Sequence, residues 1–74
     1  MILLTGSAGY IGSHISYILE KKNFHYIGID NLSKSSKRNV FNKKKFLKLD
    51  FGNKHKINEL LSEKSIKTIT HSAA

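Results

Sequence analysis

Ile2-Leu3-Leu4-Thr5-Gly6-Ser7-Ala8-Gly9-Tyr10-Ile11-Gly12-Ser13-His14 decides how this 74-residue chain is read. A short apolar run ends in three glycines spaced three residues apart, and a segment with helical apolar periodicity follows directly. That order predicts strand, tight turn, helix. Such a turn leaves N–H groups without partners at the helix N-terminus, where the helix dipole favours negative charge. A phosphate or pyrophosphate is the expected occupant. Glycine suits the turn because a Cβ would block its dihedrals and hold a phosphate off the backbone. The spacing, Gly-x-x-Gly-x-x-Gly, has one residue more between the first two glycines than the commonest dinucleotide fingerprint. Alone it is a weak signal; the strand, the helix and a downstream acid around it give it force.

Outward from that stretch, Ile2–Thr5 reads as a central parallel strand covered on both faces. Ile11, Ile15, Ile18 and Leu19 form one apolar helical stripe, with Lys21 and Lys22 at the negative helix end and Asn23 as the expected C-terminal cap. Residues 25–30 form a second strand ending in Asp30. The polar segment that follows is predicted as a loop with at most a turn or two of helix over 37–44, because Asn39, Val40 and Asn42 are poor helix formers. Residues 46–50 form a third strand, Asn53 caps a helix over 54–64 carrying Ile57, Leu60 and Leu61, and 66–71 form a fourth strand. The pattern is α/β: right-handed crossovers and one parallel sheet of order 3-2-1-4, the first part of a doubly wound fold with two main helices.

Composition narrows the function classes. With no Cys, neither a disulfide framework nor a thiolate metal site is possible, and no apolar run approaches the roughly 20 residues of a membrane span. The first apolar run is broken at Gly6 and has no basic residues before it, so it is not a signal peptide, and a cytoplasmic location is the default. Thirteen Lys+Arg against five Asp+Glu give a formal charge of +8, a balance that can mark nucleic-acid binding. Twelve of the thirteen are Lys, however, scattered from Lys21 to Lys67, and the only cluster, Lys43-Lys44-Lys45, has no arginine near it. That distribution favours composition bias over a nucleic-acid patch. A small basic nucleic-acid-binding module remains the alternative from another class, separable by its steep salt dependence.

Asp30 lies 18 residues beyond Gly12, near the roughly 20-residue interval at which a carboxylate meets an adenosine ribose. A carboxylate there accepts from both ribose hydroxyls and repels a 2′-phosphate, which favours NAD over NADP. Lys34, Lys37 and Arg38 leave a small opening for a 2′-phosphate. Tyr17 and Lys21 match Tyr-x-x-x-Lys, but Lys21 lies about 14 Å along the helix from the phosphate end, outside reach of a reacting hydroxyl. His14, His25, His55 and His71 have no metal-ligand spacing, so no metal site is expected. His14 and His71 read as hydrogen-bonded structural residues.

Residues 5–14 resemble the opening of the UDP-glucose 4-epimerase family, within the extended short-chain dehydrogenases/reductases. Ile29-Asp30-Asn31-Leu32-Ser33 is similar to that family's second-strand segment, Leu49-Asp50-Phe51 to its third, and His71-Ser72-Ala73-Ala74 to the His-Phe-Ala-Gly/Ala motif after strand four. The resemblance covers residues 1–74 and implies a partial NAD-binding Rossmann domain. Gly6, Gly9, Tyr10, Ile11 and Gly12 would wrap the NAD pyrophosphate. Asp30, Asn31, Leu32, Ser33, Lys34 and Ser35 would hold the adenosine ribose, and Asp50 and Phe51 would meet the adenine. Ser72, Ala73 and Ala74 would pass near the pyrophosphate and nicotinamide; Ser72 departs from the family's Phe. The family's catalytic Ser/Thr, its genuine Tyr-x-x-x-Lys pair and its sugar-nucleotide domain have no counterpart among these residues, so no catalytic residue is expected here. The resemblance implies a parent enzyme, a homodimer, that interconverts UDP-glucose and UDP-galactose through a 4-keto sugar. The 74 residues alone are expected to be inactive and prone to self-association. A 4,6-dehydratase or uronate epimerase of the same extended family is the nearer alternative.

Overall fold

The computed structural model describes residues 1–33 and 37–71. The central strand, β1 (Ile2–Thr5), is apolar on both faces, and Leu3 and Leu4, which point to opposite faces, are both fully buried. On one side β1 pairs with β2 (Tyr26–Asp30), with Ile2 opposite Tyr26 and Thr5 opposite Ile29. On the other it pairs with β4 (Thr68–His71), with Thr5 opposite His71. β3 (Phe46–Lys48) pairs with the far side of β2. All pairings are parallel, as the strand–helix alternation predicts, and the order is β3-β2-β1-β4, as expected by analogy with doubly wound sheets.

Alternation along the strands divides the core in two. Leu3, Ile27 and Ile29 face α2 (Lys54–Glu63) and enclose Ile57 and Leu60, with Leu49, Leu61 and Ile66 packed at the margin. Each such side chain, fully buried, contributes about 1.5–3 kcal/mol. Tyr26 and Gly28 point the other way, toward α1 (Tyr10–Lys21) and the loop between β2 and β3. That loop holds two short 3-10 turns, Lys37–Asn39 and Lys43–Lys45, the second capped by Asn42 Oδ1 accepting from the Lys44 N–H at 3.0 Å. Glu20 ties the loop to α1: its carboxylate receives Lys45 Nζ at 3.0 Å and Asn42 Nδ2 at 3.1 Å.

Both helices end in the same way. At α1, the Asn23 N–H donates to Glu20 O and the Phe24 N–H to Leu19 O, with Asn23 at φ 60. At α2, the Ile66 N–H donates to Leu61 O and Ser65 takes φ 52. These left-handed caps satisfy carbonyls that would otherwise lack partners. Asn53 caps α2 at its start, its Oδ1 accepting from the Lys56 N–H at 3.2 Å.

Two expectations are corrected. The apolar stripe of α1 is rotated: Gly12 and Ser16 are the residues buried against the sheet, Ile15 and Leu19 flank them, and Ile11 and Ile18 stand 62% and 40% exposed. Small residues let a helix approach a sheet closely, so they, and not the largest apolar groups, mark the contact line. β1 has the expected bounds, but the other three strands are shorter than predicted. The β3 ladder ends one hydrogen bond past Lys48, from the Leu49 N–H to Asp30 O, because Asp50 turns the chain by accepting the Gly52 N–H at 2.8 Å. β4 begins at Thr68, although the Lys67 N–H already donates to Met1 O.

Candidate functional site

The C-terminal ends of all four strands open on one side of the sheet, the side on which ligands bind in open parallel sheets. The turn after β1 begins with Gly6 at φ 68, a conformation an L side chain rarely adopts. Gly9, the N-cap of α1, has φ −76 and ψ 174, which any residue can hold. The glycine requirement from dihedrals therefore applies to Gly6 alone among the three; Gly9 leaves the cap without a side chain.

The turn's donors can be followed one by one. The Ser7 N–H donates to Ile29 O, the Ala8 N–H to Asp30 Oδ2 at 3.1 Å, and the Gly9 N–H to Gly6 O. The first intrahelical bond runs from the Ser13 N–H to Gly9 O. The N–H groups of Tyr10, Ile11 and Gly12 are thus left facing outward at the helix start, with no side-chain cap and no acidic residue in the first turn. Three unpaired donors at the positive end of a helix dipole form a ready anion cradle.

Beside the cradle lies a cavity of about 150 Å³ lined by Thr5, Gly6, Ile29, Asp30, Asn31, Leu49, Asp50, Phe51 and His71. The structure therefore gathers Gly6, Asp30, Asn31, Asp50 and Phe51 of the expected residues around one space. Leu32 and Ser33 follow in the same loop, their N–H groups held by Asp30 Oδ1 at 2.9 Å and Asn31 Oδ1 at 2.9 Å. Tyr10, 91% exposed, lies instead on a neighbouring open groove with Ser13, His14, Tyr17 and Phe41. Lys34, Ser35, Ser72, Ala73 and Ala74 lie outside the described residues.

Three features go beyond the sequence reading, the first being the partners of His71, whose hydrogen-bonded structural role is as expected. His71 sits with Nδ1 2.9 Å from Thr5 Oγ1 and its ring edge-on to Phe51 at 4.7 Å, so the β4 end braces both β1 and the turn after β3. Thr5 and Leu49 complete the cavity wall. Gly28 is the third: a Cβ there would stand 2.5 Å from Ser7 Oγ, so this glycine makes room for the turn. A glycine inside a strand pattern marks such close approach and was the available signal.

Tyr17 and Lys21 do meet, with the ammonium 5.6 Å from the ring centroid, but Tyr17 also stacks edge-on to Phe41 and neither residue lines the cavity. Among the described residues no His, Asp or Glu cluster could hold a metal ion, and no helix is long and apolar enough to cross a membrane.

A parallel 3-2-1-4 sheet with a glycine turn feeding a bare helix N-terminus, and an acid closing the second strand, defines a Rossmann-like nucleotide-binding architecture. The sequence profile of the NAD dependent epimerase/dehydratase family matches residues 2–74, and the chain belongs to that family. A Methanocaldococcus jannaschii protein named for UDP-glucose 4-epimerase activity is 39% identical over 74 residues, 100% of this chain and 24% of its own length. Among solved structures, Thermus thermophilus UDP-glucose 4-epimerase in complex with NAD has a TM-score of 0.86 at 32% identity, covering 99% of this chain and 24% of its own. The dTDP-glucose 4,6-dehydratase of Bacillus anthracis in complex with NAD has a TM-score of 0.87 at 26% identity, covering 99% and 26%. The chain thus spans about a quarter of the length of these relatives.

Proposed function

We propose that these residues form the first part of the NAD-binding half of a sugar-nucleotide 4-epimerase acting on a UDP-hexose. The observation that carries the reading is the row of unpaired N–H groups at Tyr10, Ile11 and Gly12 beside the Asp30 carboxylate. In this reading Gly6, Gly9 and those amides would hold the pyrophosphate, and Asp30 would accept from the ribose diol, the role in which the family resemblance also includes Asn31, Leu32, Ser33, Lys34 and Ser35. Asp50 and Phe51 receive the adenine; Asp50 Oδ1 already holds the Gly52 N–H, which turns the carboxylate into a fixed acceptor. The family resemblance assigns Ser72, Ala73 and Ala74 to the pyrophosphate and nicotinamide side of the cofactor. NAD held here would supply the hydride-accepting and hydride-donating chemistry that epimerisation at C4 of the sugar requires. This chain's own residues bind and orient; the catalytic acid–base groups belong to the part of the fold that these 74 residues do not span.

The Gly9 dihedrals make a sharp test. Gly9→Val keeps the turn's backbone but adds a branched side chain at the cap of α1, so NAD binding measured by calorimetry should be lost while the helical circular-dichroism signal stays. Unchanged NAD affinity would show that the α1 cap is not the phosphate cradle. The dehydratase neighbour supports a second reading, a 4,6-dehydratase of the same family. It shares the cofactor site and differs in the sugar chemistry, so the product formed by the full-length enzyme separates the two.

A further inference from the structure

Asp30 is already engaged before any ligand arrives. Its Oδ2 accepts the Ala8 N–H of the glycine turn at 3.1 Å, and its Oδ1 accepts the Leu32 N–H of the following loop at 2.9 Å. Leu32 is thereby held at φ 63, a left-handed conformation that a leucine adopts only when its surroundings impose it. The adjacent Ile29 carbonyl takes the Ser7 N–H, so the end of β2 grips two consecutive residues of the turn. A carboxylate has about four acceptor positions on its two oxygens, so about one on each remains open. Those two openings suit a vicinal diol.

We propose that Asp30 is a positioning residue for the anion cradle as well as the diol acceptor, so that ribose recognition and phosphate recognition are energetically coupled through this one side chain. The inference rests on the cofactor reading above. Removing the carboxylate frees the Ala8 N–H, releases Leu32 from its strained conformation and loosens the turn that aims the Tyr10, Ile11 and Gly12 amides. An Asp that only bound the diol would do none of this.

A nucleotide without the diol separates the two roles. ADP and 2′,3′-dideoxy-ADP are titrated into the wild-type chain and into Asp30→Ser, with amide hydrogen exchange followed by NMR in the ligand-free proteins. Coupling predicts that Asp30→Ser weakens dideoxy-ADP by about fivefold, the worth of one lost hydrogen bond, and weakens ADP by more. It also predicts faster exchange at the Ala8 amide with the β1 amides unchanged, which separates a loosened turn from global unfolding. Dideoxy-ADP affinity equal in both proteins, or Ala8 exchange unaltered, would overturn the positioning role. Should the wild type bind neither nucleotide, the cofactor reading falls and the coupling to ligand with it, while Ala8 exchange still reports whether Asp30 holds the turn. Asp30→Asn, which keeps one acceptor but presents an N–H₂ to the other backbone donor, should fall between the two.

Discussion

Tyr26 shows how one buried group sets a pH limit on the fold. Its ring is buried on the α1 side of the sheet with Lys45 Nζ 4.9 Å from the centroid, and its hydroxyl makes no short hydrogen bond although the Glu20 carboxylate lies near it. Burial, together with the nearby Glu20 carboxylate, pushes its pKa from 10 up to about 12. A folded pKa above the unfolded one means the stabilisation is complete below pH 10 and is lost as pH rises from 10 to about 12. Tyr26→Phe should therefore flatten the alkaline limb of the stability profile measured by urea unfolding. At pH 7 the same change should be neutral or stabilising by up to about 1 kcal/mol, since it removes a buried hydroxyl that makes no short hydrogen bond. A loss of stability at pH 7 would show that the hydroxyl has a partner after all. Glu20 works in the opposite sense. Its hydrogen bond from Lys45 lowers its pKa below 4.5, so the support it gives the β2–β3 loop is present above that pH and fades as pH falls further.

At the scale of elements, the two helix ends use the same cap with unequal chemistry. Asn at φ 60 tolerates the left-handed conformation because its short polar side chain bonds locally, whereas Ser65 at φ 52 has less to offset the clash of its Cβ. Ser65→Gly should stabilise the protein by about 0.5–1 kcal/mol, after the extra entropy of glycine in the unfolded chain is counted. Asn23→Gly should gain less. Thermal unfolding of the two variants in parallel checks the order, and a destabilised Ser65→Gly would refute it. Helix periodicity made the existence of both helices legible, and Asn23 and Asn53 were readable as caps. Ser65 was not, because serine carries no left-handed preference and only the packing of Ile66 beside Leu61 demands the turn there.

For the whole molecule the decisive feature is an open edge. Among the described residues β4 pairs only with β1, and its outer edge carries Ile69 at 41% exposure. Ile11 and Ile18 of α1 are exposed as well. Unpaired strand groups beside apolar side chains invite pairing with another chain. We expect the 74-residue chain to self-associate with rising concentration in sedimentation velocity, and Ile69→Lys to suppress that association by placing charge on the edge. It should show no turnover of UDP-galactose. A monomer at every concentration, or measurable turnover, would overturn this view and return Tyr17 and Lys21 to consideration as a catalytic pair.

The amino-acid sequence by itself determined the element order, the parallel sheet and its strand order, and the glycine turn with Asp30 close behind it. The elements and the turn follow from local periodicity and turn chemistry, the parallel pairing from the strand–helix alternation, and the strand order by analogy with doubly wound sheets, none of which needs knowledge of distant contacts. Only the tertiary structure decided which face of α1 meets the sheet, because close approach there rewards the small volumes of Gly12 and Ser16 over the larger Ile11 and Ile18. It alone placed His71 against Thr5, 66 positions apart in the chain, and Gly28 under Ser7. It also showed that the Asp30 carboxylate spends two acceptor positions on backbone N–H groups, because a side chain's partners are set by what the fold brings within about 3 Å.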